Sequence, residues 1–238
     1  MILAAGLGTR MQKGGEQTPK PLVSVCGRPL IHYPLLLLAR AGFQKVIINL
    51  HHRPEEIKKQ LGEQIFGMKI HYIYEPEILG TGGGVKNADQ HFPAAAWLII
   101  NSDTIADLEL RQLISFQEKN KPLATMVLTK TGAGKFNPVF ADAQGRVRGI
   151  GREADSAGLS AHNFCGVQLI RRELLDYLPD GFSKMIEDGY RKALAKDQQI
   201  LAYIFSGLWL AIDTPGARVE AEREMSECKS KFFDKNDA

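Results

Sequence analysis

The chain has 238 residues, 44% of them hydrophobic, and a formal charge of +3. That is enough apolar content for one full α/β core, and the scattered Lys and Arg lack the basic stripe of a nucleic-acid binder. Cys26, Cys165 and Cys228 stand far apart with no CxxC pair, which argues against a disulfide framework or a zinc site and fits a reducing cytoplasm; no stretch approaches the roughly 20 apolar residues of a membrane span, and no basic segment precedes the first apolar run as in a secretory signal.

Met1-Ile2-Leu3-Ala4-Ala5 has the pattern of a short buried parallel strand. It starts at Met1 itself, an abrupt beginning that leaves the completeness of the N-terminus open. Gly6-Leu7-Gly8-Thr9-Arg10 follows at once. Glycines behind a buried strand let the backbone turn tightly and bring its N–H groups to a ligand. Arg10 adds a planar fork suited to phosphate oxygens, and Lys20 adds a point charge whose stem is stiffened by Pro19 and Pro21. With Gly27-Arg28-Pro29-Leu30-Ile31 behind them, these residues point to a nucleoside triphosphate site. They are neither a Walker A loop nor a GxGxxG dinucleotide fingerprint.

A helix is expected over 29–41, with Pro29 in its first turn, Pro34 bending it and Gly42 at its end. A buried strand over 46–50, a helix over 54–61 stopped by Gly62, and a strand over 68–74 follow. Residues 81–91 are Gly-rich and then helical, 97–100 is a buried strand, 108–119 a helix and 124–128 a strand. This alternation predicts an α/β fold: a doubly wound, mostly parallel mixed sheet flanked by helices, with ligands beyond the carboxyl ends of the strands. The turn at 6–10, the glycines at 80–84 and Asp103 all fall just past strand ends.

The second half has another texture. Residues 137–140 and 146–150 flank Asp142-Ala143-Gln144-Gly145, a hairpin signal. A strand is expected over 164–170, helices over 171–177 and 182–195, strands over 200–205 and 208–212, and a helix over 214–225, before a polar, frayed tail at 229–238. No repeat or linker appears. We read 1–228 as one domain, with 1–130 mainly nucleotide-binding and 131–213 mainly acceptor-binding.

Two acids end strands. A carboxylate there is costly unless it is solvated or binds a cation, and Mg²⁺ takes a few carboxylates together with phosphate oxygens. Asp103 closes Asn101-Ser102-Asp103, and Asp213 precedes Thr214-Pro215. Either could instead cap a helix; together they make a metal site more probable than either does singly. Asp107 reads as a cap for the next helix. His51 and His52 point to opposite faces of a strand and read as structural. Gly82, Gly83 and Gly84 are poor helix formers at a helix start, which is explained if a base or ribose packs on them; otherwise they form a flexible loop tip.

The segments Leu3-Ala4-Ala5-Gly6-Leu7-Gly8-Thr9-Arg10-Met11 and Pro19-Lys20-Pro21-Leu22 resemble the signature of the sugar-1-phosphate nucleotidyltransferases, and the resemblance continues to about residue 221. The Gly80-Thr81-Gly82-Gly83-Gly84 block is similar to that of short bacterial members, among them muramic acid phosphate uridylyltransferases and mannose-1-phosphate guanylyltransferases. The resemblance implies nucleotide contacts at Ala4, Ala5, Gly6, Gly8, Thr9, Thr81, Gly82 and Gly83, with Glu75 near the base. It implies phosphate roles for Arg10 and Lys20, Mg²⁺ held by Asp103 and Asp213, and acceptor contacts at Asn163 and Gly166 in Asn163-Phe164-Cys165-Gly166-Val167. Lys135 falls in the acceptor loop, where it could equally face solvent, and Lys184 reads as a solvated helix face.

The implied partners are a nucleoside triphosphate, uridine first and guanosine second, and a sugar 1-phosphate; no nucleic acid or membrane is implied, and the chain would be a monomer or a homodimer. The chain ends without the β-helix acyltransferase domain of some relatives, so a single-function cytoplasmic enzyme is expected. Two alternatives stay open: a nucleotidyltransferase of a non-sugar phosphate such as phosphocholine, and a non-catalytic nucleotide-sugar sensor.

Overall fold

The computed structural model describes residues 1–12, 18–130, 138–152, 154 and 157–227. They group into two compact units. One comprises Ile2–Glu77, Asn101–Leu110 and 207–227; the other comprises Met1, Ile78–Ile100 and the described part of Arg111–Ser206.

The first unit is built on a parallel ladder. Ile2–Leu3 pairs with Lys45–Leu50, which pairs with Met68–Tyr74, and the short Gln64–Ile65 closes the edge antiparallel. Ile2, Ile48 and Leu50 are fully buried, as strands with both faces covered require. The register sets Leu3 beside Asn49 and Leu50 beside Tyr74, so the three strands end at nearly one level. Helix His32–Arg40 buries Tyr33 and four consecutive leucines. Helix Pro54–Leu61 carries Glu55 and Glu56 in its first turn, where the helix dipole favours acids, and stops at Gly62 with φ 67°.

The expected helix over 29–41 starts late because Arg28–Pro29 is taken by a hairpin with Ser24–Val25. Cys26 and Gly27, at φ 48° and 79°, form its two-residue turn, and tight hairpins need positive φ at both turn positions. Pro34 is therefore the third residue of the helix. The first turn has no intrahelical acceptor for its N–H groups, so the proline costs no bond there and no bend is required. A further antiparallel pair, Thr104–Ala106 with Trp209–Ala211, was not legible as strand in its first member.

In the second unit the long strand Ser160–Arg171 runs antiparallel to Ala96–Asn101, to Ala124–Thr129 and to Val139–Ala141. Ile200–Ile204 adds on parallel to Ala124–Thr129. Val139–Ala141 and Val147–Ile150 form the expected hairpin; its predicted start at Asn137 lies outside the described residues, as do Lys135 and the tail from Cys228. The segment read as helix over 171–177 is a 3₁₀ helix, Arg172–Tyr177, and that over 182–195 resolves into a π-helical turn, Met185–Tyr190, running into Arg191–Leu194. Helix Gly80–His91 carries the buried Asp89, which accepts from Trp97 Nε1 at 3.0 Å and Arg172 Nε at 2.9 Å. The mostly parallel, mixed sheet flanked by helices is the architecture the alternating pattern predicts.

Candidate active site

In the first unit, four charged residues from three distant stretches meet. Lys20 Nζ donates to Asp103 Oδ2 and, at 2.6 Å, to Asp213 Oδ1, while Arg10 Nη2 donates to the same Asp213 oxygen at 3.1 Å. The topology makes this meeting. Register between Thr104–Ala106 and Trp209–Ala211 sets Ala211 against Thr104, and Ile212 N–H donates to Asp103 O at 3.1 Å. The carboxylates at 103 and 213 thus leave neighbouring strand ends together.

Lys20 is aimed by its backbone. It opens a 3₁₀ turn, Lys20–Leu22, in which Leu22 N–H donates to Pro19 O at 2.7 Å and Val23 N–H to Lys20 O at 3.2 Å. Ile31 N–H then ties Pro21 O to the entrance of the helix at 2.9 Å. Gly8 is required by this packing. It sits at φ 65°, and a Cβ there would stand 2.9 Å from Lys20 Cβ. Among the described residues, nothing stands within 4 Å of the place a Gly6 Cβ would take.

Burial alone would lower the Lys20 pKa, but the charges and hydrogen bonds of Asp103 and Asp213 outweigh it and hold the ammonium above the usual lysine value. Burial, joined by the nearby Asp213, raises the Asp103 carboxyl from its usual value against the pull of Lys20. Asp213 is also opposed by burial, yet its bond to Lys20 and the charges of Lys20 and Arg10 hold it low. Lys20 and both acids are mostly shielded, whereas the Arg10 side chain is 66% exposed and can reach outward.

Asp213 is not a helix cap. Helix Pro215–Glu227 is capped by Thr214, whose Oγ1 accepts from Ala217 N–H at 3.2 Å with Pro215 at the first helical position. Asp107 stands three residues ahead of helix Leu110–Asn120, too early for the capping position expected of it; its backbone N–H goes to Leu208 O at 3.0 Å.

In the second unit, Thr81, Gly82 and Gly83 open helix Gly80–His91. Gly82 and Gly83 N–H donate to Ser183 O at 2.9 and 3.3 Å, and Met185 N–H donates to Thr81 Oγ1 at 2.9 Å. A Cβ on Gly83 would stand 2.2 Å from Gly181 O and one on Gly82 2.8 Å from Ser183 Oγ. Close backbone approach by 181–185 therefore accounts for these glycines within the protein itself. Asn163 is buried, and Gly166, at φ 74°, lies where the strand register shifts between Phe164 and Gln168. Lys184 is exposed, as expected.

No group of three His, Cys, Asp or Glu side chains able to hold a metal stands among the described residues. The donor set on offer is the carboxylate pair of Asp103 and Asp213. The Lys20 ammonium that both acids hold marks the place between them as one that selects a cation. Such a pair fits Mg²⁺, which is commonly bound through one or two carboxylates plus substrate phosphates.

The family model for nucleotidyl transferases matches residues 1–227. The chain belongs to that family. It is 27% identical over 219 residues to a mannose-1-phosphate guanylyltransferase of Mycobacterium tuberculosis, a match covering 90% of this chain and 61% of that protein. It is 28% identical over 215 residues to a UTP–glucose-1-phosphate uridylyltransferase of Synechocystis sp., covering 79% and 55% respectively. The chain thus spans little more than half the length of these relatives. The crystal structure of HddC from Yersinia pseudotuberculosis shares the fold, with a TM-score of 0.79 and 24% identity over 94% of this chain and 97% of that one.

One buried polar residue beside the glycine turn escaped the sequence reading: Asn49, near the end of Lys45–Leu50. His51, read as structural, donates from Nδ1 to Glu75 O at 2.8 Å. The signal for Asn49 was there: one amide inside the otherwise apolar run Val46-Ile47-Ile48-Asn49-Leu50. Among the described residues, no helix is long and apolar enough to cross a membrane.

Proposed function

We propose that this nucleotidyl transferase moves a nucleoside monophosphate from a nucleoside triphosphate to a sugar 1-phosphate, releasing pyrophosphate. The observation that carries the reading is Lys20 held between Asp103 and Asp213, with Arg10 on the second acid. A phosphate oxygen of the acceptor attacks the α-phosphorus in line. The new O–P bond forms as the bond to the β-phosphate oxygen breaks, and pyrophosphate carries away the electron pair. Such a reaction needs no nucleophile from the protein; it needs positioning and charge stabilisation.

In this reading the exposed Arg10 guanidinium binds the departing phosphates in bidentate fashion, and Lys20 neutralises charge at the α-phosphate. Ala4, Ala5, Gly6, Gly8 and Thr9 wrap the triphosphate. Thr81 meets the nucleoside, and Gly82 and Gly83 serve it by seating the 181–185 segment. Asn163 and Gly166 face the acceptor. Asp103 and Asp213 would hold Mg²⁺, which when bound neutralises phosphate charge and orients the triphosphate.

Relatives named for guanylyl and for uridylyl transfer match this chain at similar identity, 27% over 90% of it and 28% over 79%. The test is therefore pyrophosphate release with Mg²⁺, crossing GTP and UTP with mannose 1-phosphate and glucose 1-phosphate. One pair far above the others supports the reading. Silence across a wider panel, with nucleotide still bound, overturns it in favour of a sensor.

A further inference from the structure

Strand Ile2–Leu3 ends its ladder at Leu3, opposite Asn49. The next N–H, that of Ala4, has no strand partner and instead donates to Asn49 Oδ1 at 2.9 Å. The other end of the same amide, Asn49 Nδ2, donates to Glu75 Oε1 at 2.7 Å. Glu75 N–H in turn continues its own ladder to Leu50 O at 2.8 Å. One side chain therefore ties together the ends of three adjacent strands. Its orientation follows from chemistry: the Ala4 N–H can only donate, so the amide carbonyl must face it and the NH₂ turns to the Glu75 carboxyl oxygen. Ala4, Asn49 and Glu75 are all buried. On the far side of Leu3, Ser102 N–H donates to Leu3 O at 3.1 Å, one residue before Asp103. The backbone leading into the glycine turn is thus gripped from both flanks.

We propose that Asn49 is a positioning residue of the nucleotide site: its amide fixes the backbone at Ala4 relative to Glu75, and nucleotide affinity depends on that fixation. The inference rests on the proposed nucleotide-binding role of residues 4–9. Burial explains why one amide suffices. In a water-poor setting, leaving either the Ala4 N–H or the Glu75 oxygen unpaired is costly, so the three groups move as one.

The experiment exploits the polarity of the bridge. Asn49→Asp keeps an acceptor for Ala4 but sets a second carboxylate against Glu75. Asn49→Asp with Glu75→Gln restores the bridge with its second bond reversed, Gln Nε2 now donating to Asp. Binding of GTP and of UTP is measured by calorimetry on the full chain, alongside the thermal midpoint and KM for each substrate. Asn49→Asp should weaken nucleotide binding about tenfold or more with KM for the sugar phosphate little changed, and the double variant should recover to within about threefold of the unmodified chain. Hydrogen exchange over residues 4–8, which needs no ligand, should quicken in Asn49→Asp and slow again in the double variant. Equal nucleotide affinity in Asn49→Asp, or a folded double variant that binds no better than the single, overturns the positioning role. An unmodified chain that takes up neither nucleotide overturns the functional reading instead.

Discussion

Lys20 Nζ lies 2.6 Å from Asp213 Oδ1 while also bonding Asp103, so a single ammonium bridges two carboxylates that would otherwise repel. The same two acids are the pair proposed to hold Mg²⁺. In that proposal, ammonium and metal would compete for one place.

The first prediction follows from that competition. Lys20→Ala should cut turnover by about two to three orders of magnitude, the scale of losing a charge-stabilising group. The same variant should bind Mn²⁺ more tightly than the unmodified chain when no nucleotide is present, read by electron paramagnetic resonance. Without metal it should also lose about 1–3 kcal/mol of stability from the two unscreened acids, recovered on adding Mg²⁺. Unchanged Mn²⁺ affinity would show that the ammonium does not guard the metal position.

Asp213 and Thr214 are neighbours with separate tasks. Thr214→Ala should cost about 1 kcal/mol of stability, a helix cap's worth, and spare turnover. Asp213→Asn should do the reverse, leaving the urea midpoint nearly in place while metal-dependent activity collapses. A large stability loss in Asp213→Asn with activity retained would return the residue to a structural role.

Gly8→Ala forces a side chain into positive φ, which costs about 1–2 kcal/mol, and drives it against Lys20 Cβ at 2.9 Å. Activity should fall by more than the stability loss explains, because the lysine itself is displaced. Circular dichroism melts beside steady-state rates separate the two effects.

Cys26 holds φ 48° in the first position of its hairpin turn. Asparagine tolerates that conformation better than other side chains, so Cys26→Asn should raise stability by about 0.5 kcal/mol with activity unchanged. A lower urea midpoint would mean that the half-buried thiol contributes packing of its own.

The cationic half of this site was legible because its residues are consecutive: a strand, a glycine turn, Arg10, then Lys20 between prolines. The acids were legible as strand-end carboxylates, but their pairing depends on the register between Thr104–Ala106 and Trp209–Ala211, which no local pattern encodes. Gly82 and Gly83 were visible as odd helix formers. Their partner, Ser183, lies about a hundred positions on, so only the folded chain shows why side chains are excluded there. The helix expected at 29–41 failed at its start because a Cys-Gly pair can turn a hairpin, and tertiary pairing of 24–25 with 28–29 overrode the proline signal.

Because Thr214 caps helix Pro215–Glu227, that helix does not need the Asp213 side chain as its cap. Removing the carboxylate at 213 is therefore expected to leave a chain that folds. Under the proposed metal role, selection for folding alone would not preserve the chemistry, and a silent binding protein would lie a single substitution away. In that role, the residue at position 213 would be a sharper marker than the fold for sorting transferring chains from merely binding ones.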